Sequence, residues 1–214
     1  DLDADRLVVV NRSGEKLNPD VTLLLCIARS VELGMKKFVV SIDTSIAIEK
    51  YVKDRNGKVG HSKVGEANVV RKMLEENAEA GGEGSSAGFI MPRFNMCRDG
   101  LLAAATISAL ERKTIDECMT FASQFTQIRS KIPADSSQHK KVIDKLQDVL
   151  KAGSTSIITV DGVKAIVDDD SWILVRPSNT EHAIRISVES KSERAEQLYR
   201  KASERVQSVY EQVK

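Results

Sequence analysis

The spacing of apolar residues changes several times along the chain, and each change predicts a new secondary-structure element. Between residues 21 and 31 apolar side chains recur every three or four positions, and Gly34 follows as a helix stop signal. The next blocks alternate between short apolar runs and helical spacing; they are predicted as strand 38–42, helix 46–51, strand 58–60, helix 66–77, strand 89–91 and helix 101–110. This alternation predicts a parallel α/β layer over residues 17–122.

The order of the elements changes after residue 122. Pro133 ends one strand-like run, and the dipeptide Asp161-Gly162 separates two others as in a hairpin. The predicted elements are strand 125–132, helix 137–151, hairpin strands 156–160 and 163–167, strands 171–176 and 183–189, and helix 192–212. Residues 123–214 are therefore predicted to form an α+β domain, an antiparallel sheet with two helices.

Several local signals complete these predictions. The apolar run at 7–10 predicts a strand directly after an acidic turn, and we interpret residues 1–16 as the tail of a preceding domain. Thr114 and Glu117 have the spacing of a capping box, which predicts the start of a helix. The Gly- and Ser-rich stretch 81–88 predicts an irregular loop.

Composition is ordinary for a globular protein, with 41% hydrophobic and 29% charged residues among 214. The formal net charge of +1 provides no global field for nucleic acid or an anionic membrane, so neither is expected as a partner. Cys26, Cys97 and Cys118 are widely spaced and odd in number, which indicates neither a disulfide framework nor a zinc site. A reducing cytoplasm is the expected location.

Carboxylates alternate at the start of the chain, where Asp1, Asp3 and Asp5 precede Arg6. A tight loop could turn all three toward one point, and oxygen ligands without Cys or His favour a hard cation such as magnesium. The competing interpretation is a solvated acidic turn. The acidic loop, residues 1–6, also lacks the preceding strand that would present a metal site, so we expect the chain to be the later part of a longer protein.

A second motif combines a guanidinium, short hydroxyls and turn residues at Arg176, Ser178, Asn179 and Thr180. Such a loop between two strands suits a phosphate, which accepts hydrogen bonds from cations, hydroxyls and free backbone amides. A polar β-turn without a ligand is the alternative.

The glycine-rich stretch and the segment near Lys63 are weaker signals. Glycines allow close approach of a ligand, and Glu83 could accept hydrogen bonds from the hydroxyls of a sugar. A mobile surface loop would have the same composition. Lys63 could act as a point charge or proton donor beside a phosphoryl group, whereas His61 is not identified as a base.

In their order and spacing these motifs resemble the α-D-phosphohexomutases, the family of phosphoglucomutase, phosphomannomutase and phosphoglucosamine mutase. The acidic loop is similar to the family's Asp-Gly-Asp-x-Asp-Arg, with Leu2 in place of glycine, and residues 63–65 match its Lys-Val-Gly. Gly82, Glu83 and Ser85 resemble the sugar-recognition motif Gly-Glu-x-Ser-Gly, although Ser86 and Ala87 stand where glycine and histidine are expected.

Two further motifs extend the resemblance along nearly the whole chain. Residues 98–100, Arg-Asp-Gly, resemble the family's opening of a helix and are expected to act as a structural cap. Residues 176–180 match its Arg-Pro-Ser-Gly/Asn-Thr phosphate loop. The resemblance implies a third mutase domain followed by a TBP-like C-terminal domain, with the N-terminal domains of the same protein as a partner.

The resemblance also implies the chemistry. A phosphoserine would transfer its phosphoryl group to a hexose phosphate and recover one from the hexose bisphosphate. Asp1, Asp3 and Asp5 would ligate magnesium, with Arg6 and Lys63 beside the transferring group. Glu83 and Ser85 would bind sugar hydroxyls, and the loop of Arg176, Ser178, Asn179 and Thr180 would bind the other phosphate.

The family's Thr-Ala-Ser-His-Asn-Pro serine motif does not occur among the 214 residues, so this chain alone is expected not to turn over. Two other functions remain open. One is a phosphatase with Asp1 as nucleophile and Asp3 as acid, although Asp5 replaces the threonine of Asp-x-Asp-x-Thr hydrolases. The other is a non-catalytic phosphosugar-binding module.

Overall fold

The computed structural model describes residues 1–178 and 181–213, and its backbone contacts divide the chain into two compact units, residues 1–123 and 124–214. Each unit has its own hydrophobic core. Among the described helices, none is long and apolar enough to span a membrane.

The first unit alternates strands with helices, as the apolar spacing predicts. Its elements are α1 (Pro19–Glu32), β1 (Lys37–Ser41), α2 (Ile46–Lys53), β2 (Lys58–Ser62), α3 (Glu66–Glu76), β3 (Ala80–Glu83), β4 (Gly88–Ile90), α4 (Gly100–Ser108) and α5 (Arg112–Ala122). Asn18 caps α1 by accepting a hydrogen bond from the backbone N–H of Asp20, and Pro19 occupies the first helical turn, where its missing N–H costs nothing. The resulting helix buries the apolar face that the sequence predicted.

The sheet of this unit is mixed, with strand order β2-β1-β3-β4. Strands β2, β1 and β3 are parallel, but β4 runs antiparallel to β3, so the expectation of an entirely parallel layer was wrong at this strand. Only residues 84–87 connect β3 with β4, and a parallel crossover needs about a dozen residues or more. The short connection therefore imposes a hairpin.

The second unit is an antiparallel sheet packed against two helices. Its elements are β5 (Phe125–Pro133), α6 (His139–Lys151), β6 (Ser156–Ile158), β7 (Val163–Asp168), β8 (Ser171–Pro177), β9 (Ala183–Lys191) and α7 (Ser192–Val213). The strand order is β5-β9-β8-β7-β6, and every pairing is antiparallel. Alternate residues of the strands, such as Ile173 and Val175 of β8, pack against apolar residues of α6 and α7. This architecture confirms the predicted α+β domain.

Several local predictions were wrong. Residues 7–10 form no strand, because Val10 makes only an isolated bridge to Lys16. The helix predicted to start at Thr114 begins at Arg112, and the Thr114 hydroxyl donates to Glu32 instead of capping. The apolar residues of the predicted helix 66–77 were expected to face inward, but Leu74 of α3 is 62% exposed.

Candidate functional site

Lys63, predicted beside the phosphoryl group, and Glu83, predicted to bind sugar hydroxyls, lie at the carboxyl ends of parallel strands of the first unit. Lys63 directly follows β2, and Glu83 is the last residue of β3. Asp43, which the motifs did not indicate, follows β1 and is 4% exposed. Ligands of open α/β sheets bind outside this edge of the sheet, so the topology gathers these side chains where a substrate is expected.

Glu83 is the most constrained carboxylate of this edge. Its Oε1 accepts a hydrogen bond of 2.6 Å from the backbone N–H of Gly65, and its Oε2 lies 3.3 Å from Nη1 of Arg98. Burial raises the pKa of Glu83, while the Gly65 N–H and the Arg98 guanidinium act in the opposite direction. Such a carboxylate has a fixed orientation from which to accept hydrogen bonds of a ligand.

The stretch 81–88 is ordered structure, so the prediction of an irregular loop was wrong. Its residues form the end of β3, a 3₁₀ turn at Gly84–Ser86 and the start of β4. A Cβ at Gly81 would lie 1.8 Å from the carbonyl oxygen of Val39, so this glycine is required by strand packing, whatever the ligand. Ser85 lies partly exposed within the 3₁₀ turn, next to the buried Glu83.

Lys63 and His61 precede α3 but have different surroundings. Lys63 is exposed, as a residue that meets a phosphoryl group must be. His61 belongs to β2, and its Nε2 lies 3.2 Å from the Glu49 carboxylate. His61 is therefore a structural neighbour of α2 and not part of a loop.

Two arginines, Arg6 within the acidic loop and Arg98 outside it, bind carboxylates of this loop. Arg6 binds the carboxylate of Asp1, with Nε 2.5 Å from Oδ2, and Arg98 pairs with Asp5. Asp3 is exposed. Within the described ranges, 1–178 and 181–213, no three His, Cys, Asp or Glu side chains are grouped so as to hold a metal ion. The structure thus does not bring Asp1, Asp3 and Asp5 together.

The donor chemistry of the acidic loop nevertheless fits magnesium. Oδ1 of Asp5 is buried and accepts no hydrogen bond from the described residues, while Nε of Arg6 lies 3.5 Å away as an ion-pair partner. A hard oxygen donor with an unused lone pair is what a small divalent cation requires. Asp1, Asp3 and Asp5 are the residues of this loop that would hold such an ion.

The second unit carries a row of cations beside the predicted phosphate loop. Lys131 of β5 pairs in register with Arg185 of β9, which pairs in turn with Arg176 of β8. Arg176 is 8% exposed, and Ser178 accepts a hydrogen bond of 3.3 Å from Nε of Arg185. Asn179 and Thr180 lie outside the described residues.

The carboxylate of Glu181 neutralises part of the positive charge of this row of cations. It accepts hydrogen bonds from Lys131 at 2.6 Å and from Arg185 at 3.1 Å. The Lys131 ammonium is the main reason why the pKa of Glu181 is lowered. Glu181 thus contacts Lys131 and Arg185, the two cations that form a row with Arg176, the residue predicted to bind phosphate.

Sequence reasoning missed two cations of these sites. Lys131 is one of many lysines, and only the register of β5 with β9 places it beside Arg185. The Arg-Asp-Gly motif of residues 98–100 was predicted to form a structural cap, and Asp99 does cap α4 by accepting from the N–H of Leu102 at 2.8 Å, but the contacts of the Arg98 side chain were not predicted. The Arg-Asp-Gly motif itself was the signal that could have identified Arg98.

Residues in both units match models of known protein families. Residues 18–127 match the family model described as phosphoglucomutase/phosphomannomutase, alpha/beta/alpha domain III, and residues 128–205 match that of the C-terminal domain of the same family. A probable phosphoglucosamine mutase of Pyrococcus horikoshii is 34% identical over 98% of this chain and 47% of its own length. A phosphoglucomutase/phosphomannomutase of Thermococcus kodakarensis is 35% identical over 93% of this chain and 44% of its own length.

Solved structures agree on the fold. A phosphoglucomutase/phosphomannomutase family protein of Burkholderia thailandensis superposes with a TM-score of 0.76 at 22% identity, over 99% of this chain and 45% of that one. The N-acetylphosphoglucosamine mutase of Aspergillus fumigatus, in complex with GlcNAc-6P and magnesium, has a TM-score of 0.62 at 14% identity, over 97% and 48%. The chain spans about half the length of the relatives that it matches.

Proposed function

The chain belongs to the phosphoglucomutase/phosphomannomutase family, and we propose that it is the sugar- and phosphate-binding part of a phosphohexomutase. The reaction would interconvert the 1-phosphate and 6-phosphate of glucose, mannose or glucosamine through a phosphoserine and a hexose bisphosphate. The observation that carries this proposal is the cation row of Lys131, Arg185 and Arg176, which leads into the phosphate loop. Guanidinium and ammonium groups in one row suit the oxygens of a phosphate ester.

Each predicted residue has a role in this proposal. Arg176, Ser178, Asn179 and Thr180 bind the phosphate that does not react. Glu83 and Ser85 accept and donate hydrogen bonds at the sugar hydroxyls, because both lie at the substrate edge of the sheet. Arg6 and Lys63 neutralise charge at the transferring phosphoryl group.

The same scheme assigns the metal and the serine. A bound magnesium ion supplies positive charge to phosphoryl oxygens, and Asp1, Asp3 and Asp5 would hold it. The phosphoserine would come from the N-terminal domains of the mutase, since the serine motif is absent from the 214 residues. The chain alone would therefore bind hexose phosphates without interconverting them.

Calorimetric titration of the chain with glucose, mannose and glucosamine 6-phosphates tests this function. We expect saturable binding that falls about tenfold or more in Arg176→Gln and Ser178→Ala, since each removes a hydrogen bond to a charged ligand. Arg200→Gln, an exposed arginine of α7, is the matched control and should bind as the parent does. Fluorescence of Trp172, the single tryptophan, verifies that unit 124–214 remains folded in every variant.

Other outcomes decide between the alternatives. Full mutase turnover by the chain alone, or failure to bind any hexose phosphate, would contradict the proposal. Metal-dependent release of phosphate that disappears in Asp1→Asn would instead favour the phosphatase with Asp1 as nucleophile.

A further inference from the structure

Arg98 lies where the acidic loop meets the turn that opens α4. The backbone N–H of Gly100 donates a hydrogen bond of 2.8 Å to the carbonyl oxygen of Ala4. A Cβ at Gly100 would lie 2.8 Å from the same oxygen, so the two segments approach as closely as a glycine allows. The backbone of the Arg-Asp-Gly turn thus anchors the acidic loop.

The guanidinium of Arg98 uses each of its three nitrogens on a different carboxylate. Nε donates to Glu66 at 2.8 Å, Nη1 donates to Glu83 at 3.3 Å, and Nη2 pairs with Asp5. The side chain of Arg98 is 22% exposed, and that of Glu83 is 6% exposed. A planar group with fixed donors holds its partners at set angles to one another, unlike the flexible ammonium of a lysine.

The path of the Arg98 side chain is itself fixed by packing. A Cβ at Gly88 would lie 2.2 Å from Cδ of Arg98, so the arginine crosses β4 at the position of a glycine. Nη1 also lies 3.4 Å from the hydroxyl of Ser86, within the 3₁₀ turn that contains Ser85. Arg98 therefore contacts both the acidic loop and the segment 83–86.

We propose that Arg98 is a positioning residue that couples the metal-binding and sugar-binding parts of the site by holding Asp5 and Glu83 at the same time. This inference rests on the proposed function. A cation bound at Asp5 competes with Nη2 of Arg98 for the Asp5 carboxylate. The interaction of Glu83 with the other terminal nitrogen, Nη1, then changes in strength. Linkage requires that the hexose phosphate then changes the affinity for the cation by the same factor.

Binding measurements with and without metal test this coupling. We expect saturating Mg²⁺ to change the dissociation constant for glucosamine 6-phosphate about fivefold or more in the parent protein. In Arg98→Gln the ratio of the dissociation constants measured with and without Mg²⁺ should fall to one. Arg98→Lys should not restore it, because one ammonium cannot hold three carboxylates in the same geometry. Titration with Mg²⁺ alone supplies a readout independent of turnover.

Arg55→Gln is the matched control. Arg55 belongs to the same unit and lies over the ring of Tyr51, 3.6 Å from its centroid, with a hydrogen bond to the Tyr51 carbonyl. Its loss should lower the melting temperature but leave the Mg²⁺ factor unchanged. If Arg98→Gln kept the same factor as Arg55→Gln, Arg98 would be only a structural tie and the proposal would be wrong.

A cycle of variants without any ligand separates this inference from the proposed function. When Arg98 is present, the free-energy change of unfolding of the double variant Asp5→Asn, Glu83→Gln should differ from the sum of the two single changes. In the Arg98→Gln background the two changes should add. Additivity in both backgrounds overturns the coupling. A protein that shows the non-additivity yet binds no hexose phosphate would contradict the function and retain the coupling.

Discussion

Glu83 accepts a hydrogen bond of 2.6 Å from the backbone N–H of Gly65, 18 residues earlier in the chain. The bond joins the end of β3 to the turn before α3, which contains the Lys63, Val64 and Gly65 motif. Two motifs that were separate in sequence are therefore one unit of structure, and the carboxylate that is proposed to bind sugar hydroxyls also fixes the position of the neighbouring loop.

Replacement of Glu83 should weaken sugar binding. Glu83→Gln keeps an oxygen for the Gly65 N–H but directs an amide N–H toward the donors of Arg98. We expect the affinity for glucosamine 6-phosphate to fall about tenfold or more, because hydrogen bonds to a charged partner contribute about 1.5–3 kcal/mol. Calorimetry measures the change. Glu75→Gln, which alters an exposed carboxylate of α3, is the control and should leave binding intact.

The stability of the first unit should depend on the protonation of Glu83. Burial raises the pKa of Glu83 in the folded state, so the native protein retains its proton at pH values where the unfolded chain has lost it. The free energy of unfolding should therefore fall as the pH rises from the ordinary carboxyl value through the raised one. Glu83→Gln should remove this slope, as measured by urea unfolding at a series of pH values.

Glu79 should show the opposite dependence. Its carboxylate accepts hydrogen bonds from the backbone N–H groups of Lys36 at 2.7 Å and Lys37 at 3.0 Å, and these bonds lower its pKa. Its contribution to stability should be complete above the ordinary carboxyl pKa and should be lost as the pH falls through the lowered value. Glu79→Gln should flatten the acid limb of the same urea titration. An unchanged acid limb would show that Glu79 does not stabilise the fold through its charge.

Gly81 should not tolerate a side chain. The Cβ of Gly81→Ala would lie 1.8 Å from the carbonyl oxygen of Val39 on the paired strand β1, and a backbone atom cannot move aside without opening the sheet. We expect a loss of about 3 kcal/mol in the free energy of unfolding, at the upper end of overpacking effects. Gly153→Ala, whose Cβ would meet nothing closer than 3.6 Å, is the control and should change stability by less than about 0.5 kcal/mol.

The three thiols should differ in reactivity. Cys26 and Cys118 are fully buried, and burial raises the pKa of both, that of Cys118 to about 11. Cys97 is partly exposed. A thiolate-directed alkylating reagent at pH 8 should therefore modify Cys97 in the folded protein and all three cysteines after denaturation. Mass spectrometry of the labelled peptides measures this, and rapid native labelling of Cys26 would contradict the described packing.

The sequence by itself determined the elements whose signals are local. The apolar spacing between residues 21 and 31 predicts α1, because one face of a helix is repeated every 3.6 residues. The turn at Asp161-Gly162 predicts the hairpin of β6 and β7, because these residues adopt the tight turn that joins two strands. The motifs at Lys63, Glu83 and Arg176 were also visible, since each combines side chains within a few positions.

Only the tertiary structure decided how these motifs are connected. Arg98 reaches Asp5, which is 93 residues away, Glu66, which is 32 away, and Glu83, which is 15 away. No periodicity encodes such partners, because an ion pair depends on where packed strands and helices bring the charges. Gly81 shows the same limit. The composition of the stretch 81–88 indicated a loop near a ligand, whereas the backbone of Gly81 lies against Val39 of the paired strand. Only the strand pairing shows that a side chain at this position would open the sheet.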